Sequence, residues 1–122
     1  MCLAEDHAVN QRVVQAIIGD SVDLTIVDNG QAAVDACRTG LFDLILMDTQ
    51  MPVMDGLTAI RAIRALEAKT GHRTSIISLT ADAMPHQIEA ALAAGADRHL
   101  AKPITAAALI GTMSSTVARK AA

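Results

Sequence analysis

The stretch LILMDTQMPVMDG, residues 44 to 56, decides the fold. Its opening residues, Leu44 to Met47, are apolar without alternation, the pattern of a central strand covered on both faces. Asp48 follows directly, with Pro52, Asp55 and Gly56 behind it. In doubly wound sheets the chemistry gathers where strands end, so a carboxylate at this exit is a candidate nucleophile or metal ligand.

Working outward, short aliphatic and β-branched runs alternate with helical patterns. Strands are predicted at MCLA (1–4), VDLTIV (22–27), DLILM (43–47), TSIISLT (74–80) and RHLA (98–101), and helices near 8–18, 31–38, 57–69, 85–94 and 106–118. The punctuation agrees. Asn29-Gly30 precedes the second helix and Gly40 follows it, Pro85 sits in the first turn of the fourth, and Gly95 ends it. In the last helix Leu109, Ile110, Met113 and Val117 form one stripe for a sheet. Five strands alternating with five helices imply an α/β fold: a parallel sheet with right-handed crossovers and helices on both faces.

The bulk numbers bound the function. At 122 residues the chain fits a single domain, 1–122, with no internal boundary, repeat or low-complexity segment. With 52% hydrophobic and 19% charged residues it is not a disordered tail. One aromatic residue, Phe42, and a net charge of −3 argue against direct nucleic-acid binding. The apolar runs fall short of the roughly 18 to 20 residues of a membrane helix, and Glu5 and Asp6 spoil a signal peptide, so a cytoplasmic domain without membrane insertion is expected. Cys2 and Cys37 read as buried free thiols.

The residues that follow each strand form a constellation. Strand one exits into Glu5 and Asp6, strand three into Asp48, strand four into Thr80 and strand five into Lys102-Pro103. Three clustered acids repel one another and call for a cation, and all-oxygen ligands point to Mg²⁺ rather than zinc. Lys102 adds a positive charge and Thr80 a hydroxyl. With Mg²⁺ these are the parts that hold a phosphoryl group in flight, and Asp48 would be the attacking oxygen, giving a labile aspartyl phosphate.

The pieces AEDHAVN, LMDTQMPVMDG, LTADAM and GADRHLAKPI, in this order and at these separations, resemble the receiver domain of two-component response regulators over essentially the whole chain. That resemblance implies a flavodoxin-like sheet in the order 2-1-3-4-5. It implies that Asp48 accepts a phosphoryl group from a phosphohistidine on a kinase or a histidine phosphotransfer protein. Mg²⁺ would be held by Glu5, Asp6, Asp48 and the backbone carbonyl of Gln50. Lys102 would bind a phosphoryl oxygen, Thr80 would move toward it, and Gln50 and Asp82 would set the phosphate lifetime. Such a domain catalyses its own phosphorylation and dephosphorylation without being a turnover enzyme, as a monomer or weak dimer. The family often has Tyr or Phe as a switch three residues before the lysine; here it is His99, whose ring can charge near neutral pH.

Each residue also has a plainer reading. Asp48 could be a turn former, Glu5 and Asp6 could cap the first helix, and Asp55-Gly56 reads as a turn and cap for the third. His7, His72 and His86 are expected to be solvated, His99 structural, and Met47, Met51, Met54, Met84 and Met113 packing residues. A flavodoxin-like nucleotide binder is disfavoured by the acids after strand one. A phosphohydrolase working through an aspartyl phosphate is disfavoured by Gln50, where such enzymes usually carry a second acid, and a pseudo-receiver by the intact acid pair, acceptor, threonine and lysine. The short start and the loops resemble receivers of hybrid sensor histidine kinases; a stand-alone regulator is the alternative. Val9, Val13, Val14, Ile17 and Ile18 give the first helix more apolar faces than one core stripe needs, an expected contact for a partner helix together with the loop after Lys102-Pro103.

Overall fold

The structure is a computed structural model that describes residues 1–39, 42–81 and 84–121, with side chains through Thr116 except that of Thr39. The chain alternates strictly: β1 (Cys2–Ala4), α1 (Ala8–Ile18), β2 (Thr25–Val27), α2 (Gly30–Thr39), β3 (Leu44–Asp48), α3 (Gly56–Thr70), β4 (Ser75–Thr80), α4 (Pro85–Ala94), β5 (Arg98–Ala101) and α5 (Ala106–Ala121). The strands form one parallel sheet in the order β2-β1-β3-β4-β5. This is the doubly wound, flavodoxin-like arrangement.

The two-residue alternation of the strands divides the core into two layers. Cys2, Ala4, Ile45, Met47 and Ile76 face α2, α3 and α4, where Ala33, Val34, Ala59, Ile60, Ile63 and Ala91 receive them. Leu3, Leu44, Leu46, Ile77, Leu79 and Leu100 face α1 and α5 through Val14, Ile18 and Leu109. Every residue of β3 is buried, as the unbroken apolar run predicts. β2 is shorter than expected and starts at Thr25, because its only neighbour is the three-residue β1. A strand cannot extend past the backbone it bonds to; Val22 and Leu24 pack beneath the sheet instead.

Local punctuation explains the helix ends. Asp55 caps α3 as predicted, its carboxylate accepting from the Thr58 amide at 2.8 Å and the Thr58 hydroxyl at 3.0 Å. Gly56 opens that helix against the end of β3: a Cβ there would lie 2.0 Å from the Asp48 carbonyl oxygen. Only glycine admits this approach, which ties the loop after Asp48 back to its strand through the Gly56 amide and Thr49 carbonyl at 3.1 Å. Gly40 lies outside the described residues.

Several expectations need correction. Ile110 is 50% exposed, so the α5 stripe consists of Leu109 and Met113, and the Val117 side chain lies outside those described. Met84 is exposed rather than packed. In α1, Val14 and Ile18 are buried and Val13 and Ile17 pack against the core, leaving Val9 as the surplus apolar residue. His72 is half-buried and bonded through Nε2 to the Phe42 carbonyl at 3.0 Å, rather than solvated. Cys2 is buried and Cys37 half-buried, both as free thiols; burial pushes their pKa values up to about 12 and about 11. No helix of the described residues is long and apolar enough to cross a membrane.

Candidate functional site

Parallel register carries the strand exits to one edge of the sheet. The Glu5 amide continues the β1–β2 ladder by donating to the Val27 carbonyl at 3.0 Å, which fixes Glu5 at the rim, fully buried. Its Oε2 accepts from the His7 amide at 3.1 Å, and its carbonyl accepts from the Gln11 side-chain amide at 2.6 Å. Glu5 therefore does help to start α1, compatibly with a second role. Asp6 makes no cap bond; its Oδ1 is buried and has no hydrogen-bond partner.

Asp48 ends β3 and is almost fully buried, its Oδ1 accepting from the Gln50 amide at 3.2 Å. Lys102 lies just past β5 and reaches both acids, with Nζ 2.9 Å from Glu5 Oε1 and 3.1 Å from Asp48 Oδ2. Its amide donates to the Thr80 carbonyl at 2.8 Å, so the end of β4 carries the backbone that presents the lysine. The Lys102–Pro103 peptide is cis. Thr80 is buried at the last position of β4, beside the end of β3 in the sheet.

The structure thus brings together Glu5, Asp6, Asp48 and Lys102, with Thr80 at the same edge and Gln50 touching the cluster through its amide. His99 stands apart: it is exposed on β5 and pairs in register with Ser78. Asp82 lies outside the described residues.

The electrostatics follow from this crowding. Burial, then the Glu5 carboxylate beside it, pushes Asp48 up to about 6, against the pull of the Gln50 amide and Lys102. Burial also acts to raise Glu5, but Lys102, a bond with Asp48 and the His7 amide outweigh it and hold Glu5 below the usual range. Lys102 is raised: burial opposes its charge, and its bonds to the two acids prevail. Three carboxylates against one ammonium leave the cluster with two excess negative charges when all are ionised. One ligand oxygen from each of Glu5, Asp6 and Asp48 lies within 4.8 Å of the others. An all-oxygen set with an orphaned buried oxygen on Asp6 fits a hard divalent cation.

Sequence reasoning missed a second polar centre, at the opposite end of the sheet. Arg64 of α3 donates to the Gly95 carbonyl at 3.0 Å, the Thr74 carbonyl at 2.7 Å, Glu67 at 2.5 Å and Asp97 at 3.0 Å. Asp97 also accepts from Arg73 at 2.7 Å and from the Ile76 amide at 2.8 Å, and both acids are held below their usual range against the effect of burial. The one local signal was the Arg64–Glu67 spacing; the rest is long-range.

Comparison with known proteins agrees with this geometry. The sensor protein GacS of Pseudomonas syringae pv. syringae is 42% identical over 103 residues, covering 83% of this chain and 11% of GacS, so the chain spans about a tenth of that relative. The receiver domain of the sensor histidine kinase PA1611 of Pseudomonas aeruginosa, solved with magnesium in its active-site cleft, is 39% identical with a TM-score of 0.86, over 96% of this chain and 95% of that one. The receiver domain of Ssk1 from Saccharomyces cerevisiae, crystallised with the histidine phosphotransfer protein Ypd1, gives a TM-score of 0.92 at 28% identity, over 99% of this chain and 90% of that one. Residues 1–114 match the response regulator receiver domain, and the chain belongs to that family.

Proposed function

We propose that the chain, 1–122, is a phosphoacceptor domain of a two-component phosphorelay, taking a phosphoryl group from a phosphohistidine onto Asp48 with Mg²⁺ bound. The observation that carries this is the buried Glu5–Lys102–Asp48 cluster with a buried oxygen of Asp6 beside it that accepts no hydrogen bond. Glu5, Asp6, Asp48 and the Gln50 carbonyl would hold the cation. Bound there, Mg²⁺ supplies charge neutralisation for the phosphoryl oxygens.

The chain's own groups do the rest. An ionised Asp48 oxygen bonds to phosphorus as the phosphorus–nitrogen bond of the donor breaks, and the imidazole leaves with the electron pair and takes up a proton. Lys102, already between the two acids, turns to a phosphoryl oxygen. Thr80 donates its hydroxyl to another, and its displacement moves the loop after β4, with His99 as the responding residue on β5. Gln50 and Asp82 tune how long the phosphate survives.

The donor is a kinase or a histidine phosphotransfer protein; the Ypd1 complex of a structural neighbour supports the second kind. Likeness to the sensor kinases GacS and BarA supports a receiver that works within a hybrid histidine kinase, at the cytoplasmic side, with a stand-alone regulator as the alternative. The test is the intact mass after incubation with acetyl phosphate, with and without Mg²⁺, for the wild type and Asp48→Asn. One base-labile phosphoryl group that needs both Mg²⁺ and Asp48 is expected. A gain in Asp48→Asn, or none in a folded, Mg²⁺-binding wild type given a phosphorylated transfer protein, overturns the assignment.

A further inference from the structure

Gly30 opens α2 and is buried, although it offers no ligand to the acidic cluster. Asn29 before it caps the helix, its side-chain oxygen accepting from the Ala32 amide at 2.7 Å. The cap accounts for Asn29 and leaves the glycine unexplained, since a helix gains nothing from glycine over alanine.

What requires the glycine is the loop after β3. The Gly30 amide donates to the Met54 carbonyl at 3.1 Å. A Cβ on Gly30 would lie 2.3 Å from that oxygen, 3.0 Å from its carbon and 3.1 Å from the Asp55 carbonyl oxygen. All three atoms are backbone, so no side-chain rotation makes room, and either α2 or the loop would have to move.

The near end of the same loop is also fixed. The Thr49 amide donates to the Leu79 carbonyl at 3.0 Å, and the Thr49 carbonyl accepts from the Gly56 amide at 3.1 Å. Gln50 to Val53 is therefore a short span pinned on both sides. Within it the Met54 amide closes onto the Pro52 carbonyl at 2.7 Å around Val53, which has φ +68°. A three-residue turn of this hand is rare and strained, and a β-branched residue stays in it only where the surroundings impose it. Val53 exposes 81% of its surface, so packing of its own side chain does not impose it. The Gly30 bond acts on Met54, the residue whose amide closes the turn.

We infer that Gly30 is a positioning residue for the metal-binding loop: its backbone grip on Met54 keeps the strained turn at Val53 closed and so holds the Gln50 carbonyl at the acidic cluster. The inference rests on the Mg²⁺ site proposed above. Its consequence is that α2, which supplies none of the ligands, sets metal affinity through one backbone contact.

Two readouts on ¹⁵N-labelled protein test the grip. In metal-free protein, amide hydrogen exchange at Met54 should be faster in Gly30→Ala than in the wild type. In a Mg²⁺ titration followed at the Gln50 amide, the same substitution should raise Kd about tenfold. Asn29→Ala loosens the start of α2 without adding a Cβ at Gly30; it should raise Kd about threefold, and it decides the matter if Gly30→Ala does not fold. Gly71→Ala controls for general destabilisation: it places a side chain at φ +78° beyond the far end of α3, so it should lower the melting temperature and leave the Mg²⁺ Kd unchanged. Val53→Gly relieves the strain, and in that background Gly30→Ala should raise Kd by only about threefold. A Kd unchanged in folded Gly30→Ala, unchanged in Asn29→Ala where Gly30→Ala is unfolded, or raised as much by Gly71→Ala, overturns the inference. A wild type whose Gln50 amide does not respond to Mg²⁺ overturns the proposed metal site instead, and Met54 exchange then decides the grip alone: no faster in Gly30→Ala, and the grip is refuted too.

Discussion

Acidification from pH 7.5 to pH 5 should weaken Mg²⁺ binding by about tenfold, and the reason lies in one carboxyl group. Magnesium binds the ionised form of its carboxylate ligands, so affinity falls as they take up protons. Asp48 is pushed up to about 6 by burial and by Glu5. At pH 7.5 it is almost wholly ionised, and at pH 5 about a tenth remains so, which raises the apparent Kd about tenfold, or about 1.4 kcal/mol. Glu5 is held low and adds nothing in this window. Had Asp48 kept its ordinary value of 3.8, the same change would move Kd by less than about a tenth of its value. The chain has no Trp or Tyr, so calorimetry or the Gln50 amide resonance is the suitable readout. In metal-free protein the sign for stability is opposite to the usual carboxylate case. Because the folded-state value lies above the unfolded one, Asp48's contribution is full below about pH 4 and is lost as pH rises through about 6. A Kd flat between pH 5 and 7.5 would refute the account of Asp48 as a strongly desolvated, Glu5-opposed acid.

Lys102→Met removes the counter-charge of two buried acids. Asp48 can respond by taking a proton, and bringing an acid of pKa about 6 to that state at pH 7.5 costs about 2 kcal/mol, which sets the expected loss in metal-free protein and corresponds to about 8 °C in melting temperature. Saturating Mg²⁺ should return most of it while phosphorylation stays impaired; an unchanged melting temperature would show that the lysine is not neutralising the pair. Arg64→Met leaves Glu67, Asp97 and two carbonyls without their shared donor, for a loss of about 3 kcal/mol or about 12 °C, with Asp48 phosphorylation in the remaining folded protein intact. Denaturant melts and phosphorylated mass on one sample check both halves. Val53 is a β-branched residue at φ +68° with 81% of its surface exposed. Val53→Asn should therefore gain about 1 kcal/mol and raise the melting temperature by about 4 °C; a decrease would mean that the valine makes a compensating contact.

How much of this was legible in the residues depends on the range of the interaction. Helix periodicity, caps and apolar runs are local, and the ten elements fall within a few residues of where they were read, down to the Asp55 cap and the Gly95 terminus. Where the reading failed, the cause was a neighbour distant in sequence. Ile110 carries its apolar side chain at a helical position and Met84 at the extended residue before α4, yet the way each segment meets the sheet leaves them outside the core. The shortness of β2 follows from the length of β1, and His72 is bonded because the Phe42 carbonyl reaches it. The strand order came from resemblance rather than from any spacing in the chain.

The same division holds at the site. The chain alone determined which residue types stand at the strand exits: Glu5, Asp6, Asp48, Thr80 and Lys102 are consequences of where apolar runs stop. Tertiary structure decided their chemistry. Parallel pairing in the order β2-β1-β3-β4-β5 brings the lysine between two acids, buries Glu5 completely, separates the pKa values of Glu5 and Asp48 in opposite directions, and leaves a buried oxygen of Asp6 without a hydrogen bond. It also builds the Arg64 network. Desolvation and Coulomb energy depend on distance and burial, and these exist only once remote segments have packed.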